Sequence, residues 1–203
     1  MNLSDLSDMQ LDALREISGI GAGHAATALS ELVGRLVRIE VPTIEILDIT
    51  EMPGLFGGPE RPAGAAFAAI EGEIDGGVLC MAAPETIGTL IEMLGETPAT
   101  PENRPDPRLA EIMTVAAEQL IASYLRAVCD MTGLESRAPG ISWAYDMSGA
   151  LLEVIVAEIG SRADQALLVR TAFIDECRTV EAAFFFVPSP DSLVAILSRL
   201  GLA

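Results

Sequence analysis

PETIGTLIEMLG at 84–95 returns as PDSLVAILSRLG at 190–201. Pro84-Glu85-Thr86-Ile87 lines up with Pro190-Asp191-Ser192-Leu193, and Leu94-Gly95 with Leu200-Gly201, with no gap between them. Each stretch opens on proline, whose missing N–H does no harm in a first helical turn. Each closes on glycine, which accepts the backbone conformation that ends a helix. Two short helices of one design therefore close two halves of one chain.

The residues before each closing helix follow one order. In the first half, apolar residues at helical spacing (Met9, Leu11, Leu14, Ile17, Ile20, Ala25, Ala28, Leu29, Leu32) predict a helix over about 7–32, stopped at Gly34. VRIEVPTIEILDI (37–49) alternates and is β-branched, so it reads as a strand in which Pro42 marks a bulge or an edge. MPGLFGGPERPAG (52–64) reads as a loop, and 65–83 as two strands joined around Asp75-Gly76-Gly77.

ETPATPENRPDP (96–107), with four prolines, reads as a linker. Beyond it come a helix at about 108–131, a strand at 136–145 and a helix at 148–159. Strands at 165–173 and 179–187 then lead into the closing helix. The expectation is a single α+β domain over 1–203, an internal duplication with halves at about 1–95 and 106–203. Its strands should join in one largely antiparallel sheet, with the two long helices packed on one face.

Composition narrows the function. Net charge is −18, from 30 acids against 12 bases, all arginine. Such a surface repels phosphate backbones and anionic lipid heads, and attracts a partner with a basic patch. Cys80, Cys129 and Cys177 are far apart and His24 is the only histidine, so no metal cage is expected. The cysteines read as buried thiols in a reducing compartment. The acidic amphipathic start resembles no signal peptide, and no run of 18 apolar residues is present to span a bilayer. A cytoplasmic protein without membrane insertion is expected.

Gly19-Ile20-Gly21-Ala22-Gly23 has the glycine content of a phosphate-cradling loop. It follows a helical pattern instead of a strand, and no Gly-Lys-Ser/Thr follows it. Small residues here read instead as a place where the helix approaches a neighbour closely, at about 1 kcal/mol of propensity per glycine. Asp12, Glu16 and position 19 share one helix face through i, i+3 and i+4 spacing. Taken alone, such an acidic face is a solvated surface.

The spacing nevertheless resembles a family signature. Asp12-x-x-x-Glu16-x-x-Gly19, then 22 residues, then Pro42, is similar to the motif of the CheC/CheX/FliY chemotaxis phosphatases, in which asparagine stands at the position of Gly19. Glu16 through Leu29 is similar to the CheC form of that helix, and the duplicated architecture extends the resemblance over essentially the whole chain. His24 is then part of the family helix and not a ligand or base. The resemblance implies action on a phosphorylated CheY-type response regulator. The glutamate would anchor the regulator, and the asparagine would hold a water in line with the aspartyl-phosphate. The regulator would bring the magnesium ion, so the chain needs no cofactor or metal of its own. Phosphoryl transfer asks mainly for positioning of this kind.

Two departures bear on activity. Gly19 has no side chain to hold a water. In the second copy, placed by Ser123-Tyr124-Leu125, the motif positions fall on Glu111, Val115 and Glu118, and the proline position on Ile141. Val115 cannot make the anchoring ion pair. Glu118 can accept a hydrogen bond from water, but its charge faces the phosphoryl oxygens, and Gln119 points about 100° away around the helix. Loss of a water-positioning group costs on the order of 10²-fold in rate. The implied function is binding of a phosphorylated CheY-type regulator with hydrolysis weak or lost. Glu16 is the expected contact, and Glu118 the candidate for residual chemistry. The alternative is a non-catalytic partner of the CheD receptor deamidase or a flagellar-switch component.

Overall fold

The first long helix starts where the sequence offers a cap. In α1 (Asp8–Val33) the Ser7 hydroxyl accepts from the Gln10 N–H at 3.4 Å, and the Gln10 side-chain oxygen accepts from the Ser7 N–H at 2.9 Å. This reciprocal box satisfies two otherwise orphaned donors and contributes about 1 kcal/mol. The computed structural model describes residues 5–40, 43–96, 107–159, 165–174 and 179–203. The second long helix, α4 (Pro107–Thr132), is 26 residues long, the same length as α1. Both stop on a glycine in left-handed backbone, Gly34 at φ +69° and Gly133 at φ +67°.

After α1 come β1 (Arg38–Ile39), β2 (Thr43–Asp48), α2 (Met52–Leu55), β3 (Pro62–Gly72), β4 (Gly76–Ala82) and α3 (Pro84–Met93). After α4 come β5 (Ser136–Arg137), β6 (Ser142–Met147), α5 (Ser148–Ile159), β7 (Gln165–Ile174), β8 (Thr179–Pro188) and α6 (Pro190–Arg199). Among the described residues all eight strands belong to one sheet, every pairing antiparallel. The hairpins β3–β4 and β7–β8 meet at the centre through β4 and β8. Each half then lends its first strands to the other: β1 and β2 pair with β7, and β5 and β6 pair with β3. The register Asp48↔Gln165 to Thr43↔Arg170 on one edge has its counterpart in Met147↔Pro62 to Ser142↔Phe67 on the other. Neither half's strands close a sheet without the other's.

Alternation along the strands divides the core in two. Phe184 and Phe186 face the layer of α1, α3, α4 and α6, whereas Phe185 and Val187 face the opposite side. There α2 and α5 bury Met52, Leu151 and Leu152 against Leu79 and Phe185. The long helices lie on one face, as expected, and the two shorter ones cover the reverse. The turn between β3 and β4 reaches across to α6. Asp75 accepts from the Ser192 hydroxyl at 2.6 Å and from the Ser189 hydroxyl, and its own N–H donates to Ser192 Oγ at 2.8 Å. A carboxylate at this helix N-terminus also meets the favourable end of the helix dipole.

Some expectations need correction. The segment 52–64 is not all loop, because α2 forms inside it and β3 begins at Pro62. The strands expected at 37–49 and 136–145 are each broken into a short and a longer piece. The β3–β4 turn falls at 73–75, since Gly76 and Gly77 already pair with Pro188 and Val187. Cys80 and Cys129 are half-buried instead of buried. Cys177, the linker residues 97–106 and Pro42 lie outside the described residues, although β1 and β2 on either side of Pro42 do form the sheet's outer edge.

Candidate functional site

Packing decides which face of each long helix is available. α1 buries Leu14, Ile17, Ser18, Gly21, Ala22, Ala25, Ala26 and Leu29, which leaves Asp12, Glu16, Ile20 and His24 outward on one stripe. α4 buries Met113, Ala116, Ala117, Leu120, Ile121 and Tyr124, leaving Glu111, Val115, Glu118 and Gln119 outward. The shift that lays Asp8–Val33 on Pro107–Thr132 also lays Asp12 on Glu111, Glu16 on Val115 and Gly19 on Glu118. The two candidate motifs therefore occupy matching places on matching helices. Among the described residues no hydrogen bond or ion pair joins one stripe to the other.

On α1, Asp12 accepts from Arg15 at 2.8 Å in an exposed i, i+3 pair. Such a pair is worth a few tenths of a kcal/mol, so it orients Asp12 without withholding it. Glu16 is exposed and has no ion pair or hydrogen-bonding partner among the described residues. Its charge is free to meet a cation from another molecule.

Gly19 stands in open space: no heavy atom lies within 4 Å of where its Cβ would be. Gly23 is the same, and Gly21 is the opposite. A Cβ on Gly21 would come within 2.5 Å of the Tyr124 ring at Cδ2 and 2.8 Å at Cε2. The close approach expected of the glycine run is thus made by Gly21 alone. Gly19 is not a packing requirement, and a larger side chain fits there.

Tyr124 locks the two helices. Its hydroxyl donates to Ser18 Oγ at 3.2 Å, and its ring lies among Phe184 and Phe186, with centroids 6.2 and 6.1 Å away. Burial pushes the phenol up to about 12, partly offset by the Ser18 hydrogen bond. It is a structural group, neutral at neutral pH. The Ser18–Tyr124 pair lies one residue from Gly19, so it fixes the helix beneath the motif position.

On α4, Val115, at the place that Glu16 holds on α1, is 43 % exposed. Glu118 is exposed without a partner among the described residues, and so is its neighbour Gln119. Sequence spacing placed Asp12 and Glu16 on one face, but it also assigned Met9 and Ile20 to the buried apolar face, and both are exposed, at 69% and 37%, because α1 packs through Leu14, Ile17, Gly21 and Ala25 instead. It missed Tyr124 as the inter-helix lock, for which the small residues of the facing helix were only an indirect signal. It also missed Trp143, which sits on β6 under the helix layer and carries no local motif.

Comparison with known proteins agrees with this geometry. Residues 9–46, which take in α1 from Met9 onward and the first motif through Pro42, match the CheC-like family. The chain is 28% identical over 200 residues to the CheY-P phosphatase CheC of Bacillus subtilis (strain 168), covering 97% of this chain and 96% of that protein. In fold it is similar to Thermotoga maritima FliY, with a TM-score of 0.78 at 14% identity over 97% of this chain and 98% of the other. The FliM middle domain from H. pylori superposes with a TM-score of 0.68 at 13% identity, over 96% and 99% of the two chains. The resemblance first read from Asp12, Glu16 and Pro42 is thereby shown: the chain is similar to the CheC-like family in its signature helix, and to FliY and the FliM middle domain in its fold.

Proposed function

We propose that this chain binds a phosphorylated CheY-type response regulator through the outward stripe of α1, with hydrolysis of the aspartyl-phosphate weak. The observation that carries this reading is the contrast along one stripe. Asp12 and Glu16 are exposed and available, while Gly19 presents nothing to hold a water. The binding half of the motif is retained and the water-positioning half is absent. Relatedness to a CheY-P phosphatase supports the partner class. The strongly acidic surface favours a partner with a basic patch.

In this reading the regulator supplies the phosphoryl group and its magnesium ion. Glu16 pairs with a cation of the regulator, and Asp12, held by Arg15, flanks it. Glu118, on the second stripe, accepts a hydrogen bond from water where chemistry survives. The setting is cytoplasmic, and the single domain of two related halves presents one stripe from each half.

The test is the decay of radiolabelled phospho-regulator with the chain, with Glu16→Ala and with Gly19→Asn. Little acceleration by the chain and clear acceleration by Gly19→Asn support the reading. Fast decay with the unaltered chain, lost in Glu16→Ala, sinks the part about weak hydrolysis. The absence of regulator binding by all three sinks the reading itself.

A second reading is favoured by Val115. An exposed apolar residue at the anchoring position suits a protein contact more than a phosphatase site. The chain would then be a non-catalytic partner of a CheD-type deamidase or of the flagellar switch. Parallel pull-downs with CheD and with phospho-regulator separate the two.

A further inference from the structure

Gly19, Ile20 and Gly23 follow Glu16 at helical spacing and share its side of α1, with Ile20 about 6 Å further along the axis. Ile20 is 37% exposed. Unlike Leu11 and Leu32 of the same helix, it does not pack against the core among the described residues. Glycine is a poor former of helix interiors, and the fold gives a reason for Gly21 alone, beneath Tyr124. No heavy atom lies within 4 Å of a Cβ placed on Gly23, as on Gly19. A helix-interior glycine with no neighbour inside the fold marks a place where something outside comes close to the backbone. The surface here is therefore bare backbone beside a raised isoleucine, one turn beyond a carboxylate that is unpaired among the described residues.

We propose that Ile20 and the open backbone at Gly23 seat an apolar side chain of the response regulator, next to the cation that Glu16 takes from it. This rests on the reading of Glu16 given above and extends its interface by one helical turn. The chemistry of the occupant follows from the two parts. Asp12 and Glu16 call for a lysine or arginine, and the uncharged pad calls for an aliphatic or aromatic group about 6 Å from it. A side chain at position 23 would lift that group off the helix, which gives the glycine its reason. The carboxylates act mainly on encounter, and the apolar seat on how long the complex lasts.

Calorimetric titration with a CheY-type regulator, held in its active form by beryllium fluoride and magnesium, tests the seat. Ile20→Ala should weaken binding on the order of tenfold, and Ile20→Val should keep most of the affinity. Gly23→Gln should weaken binding as much as Ile20→Ala does while melting no lower than the parent, since glutamine is the better helix former. High salt should shrink the loss caused by Glu16→Ala and leave the loss caused by Ile20→Ala in place. A parent that binds, with Glu16→Ala weakened but Ile20→Ala and Gly23→Gln unchanged, overturns the seat and leaves the reading of Glu16 standing. A parent that does not bind the regulator removes both.

Discussion

The ring of Tyr124 lies against the backbone of Gly21 so closely that a Cβ on residue 21 would stand 2.5 Å from ring atom Cδ2. This contact sets the spacing of the two long helices and, through them, the placement of both outward stripes. Tyr124 cannot swing aside, because Phe184 stacks on it and Phe186 meets its edge. Gly21→Ala should therefore destabilise the protein by about 1–3 kcal/mol through overpacking, even though alanine is the better helix former. Gly23→Ala, two residues on and in open space, should instead stabilise by up to about 1 kcal/mol. Paired thermal melts check both signs, and equal shifts would mean the helix contact is looser than described.

Gly19→Asn should fold normally, because nothing lies within 4 Å of the new Cβ and asparagine is no worse a helix former than glycine. Its melting temperature should stay within a degree or two of the parent. Phospho-regulator decay should accelerate on the order of 10²-fold relative to the unaltered chain. An inactive but well-folded Gly19→Asn that still binds the regulator would show that the amide alone does not restore the site.

The second stripe allows a separate test. Glu118→Ala should abolish whatever hydrolysis the unaltered chain retains, and unchanged turnover would remove Glu118 from the chemistry. Val115→Glu combined with Glu118→Asn rebuilds the motif on an exposed helix face, so stability should change by no more than about 0.5 kcal/mol. New phospho-regulator hydrolysis by that variant would show that the stripe on α4 is placed as the stripe on α1 is.

Alkaline titration should expose the lock. Folding raises the Tyr124 phenol from the usual value of 10.0 to about 12, so the folded state holds that proton more tightly than the unfolded chain. Its contribution is complete below pH 10 and is lost as pH rises through about 12, by roughly 2–3 kcal/mol in all. Tyr124→Phe should flatten that part of the stability–pH curve. At neutral pH it should cost only about 1 kcal/mol, from the buried Ser18 hydroxyl left without its donor. Urea melts at pH 8, 10 and 11.5 measure both effects.

Asp75→Ala should cost about 1–3 kcal/mol by orphaning two serine hydroxyls and removing a carboxylate from the start of α6. Ser189→Ala, which loses the cap on the Ser192 N–H as well as one bond to Asp75, should fall in the same range. The double variant should be less destabilised than the sum of the two, since they share one network. Strict additivity would mean the turn and the helix are not coupled.

Periodicity and punctuation made most of the elements legible. Apolar residues at helical spacing marked the first long helix, and proline and glycine bracketed α3 and α6. The breaks were harder to read. The pauses between β1 and β2 and between β5 and β6 reflect the strands' path along the sheet edge, a tertiary matter with no reliable local signal. α2 went unread because Met52–Leu55, rich in proline and glycine, becomes helical where Met52 is buried against the reverse face of the sheet.

The sequence by itself determined the α+β class and the order of most elements along the chain, because helical and strand periods are properties of the chain alone. Only the tertiary structure decided that each half completes the other's sheet, since pairing of β2 with β7 and of β6 with β3 joins residues far apart in the chain. It also decided which glycine matters for packing. Gly19, Gly21 and Gly23 are alike as letters, and what separates them is the position of Tyr124, a side chain on another helix held there by two phenylalanines from the sheet.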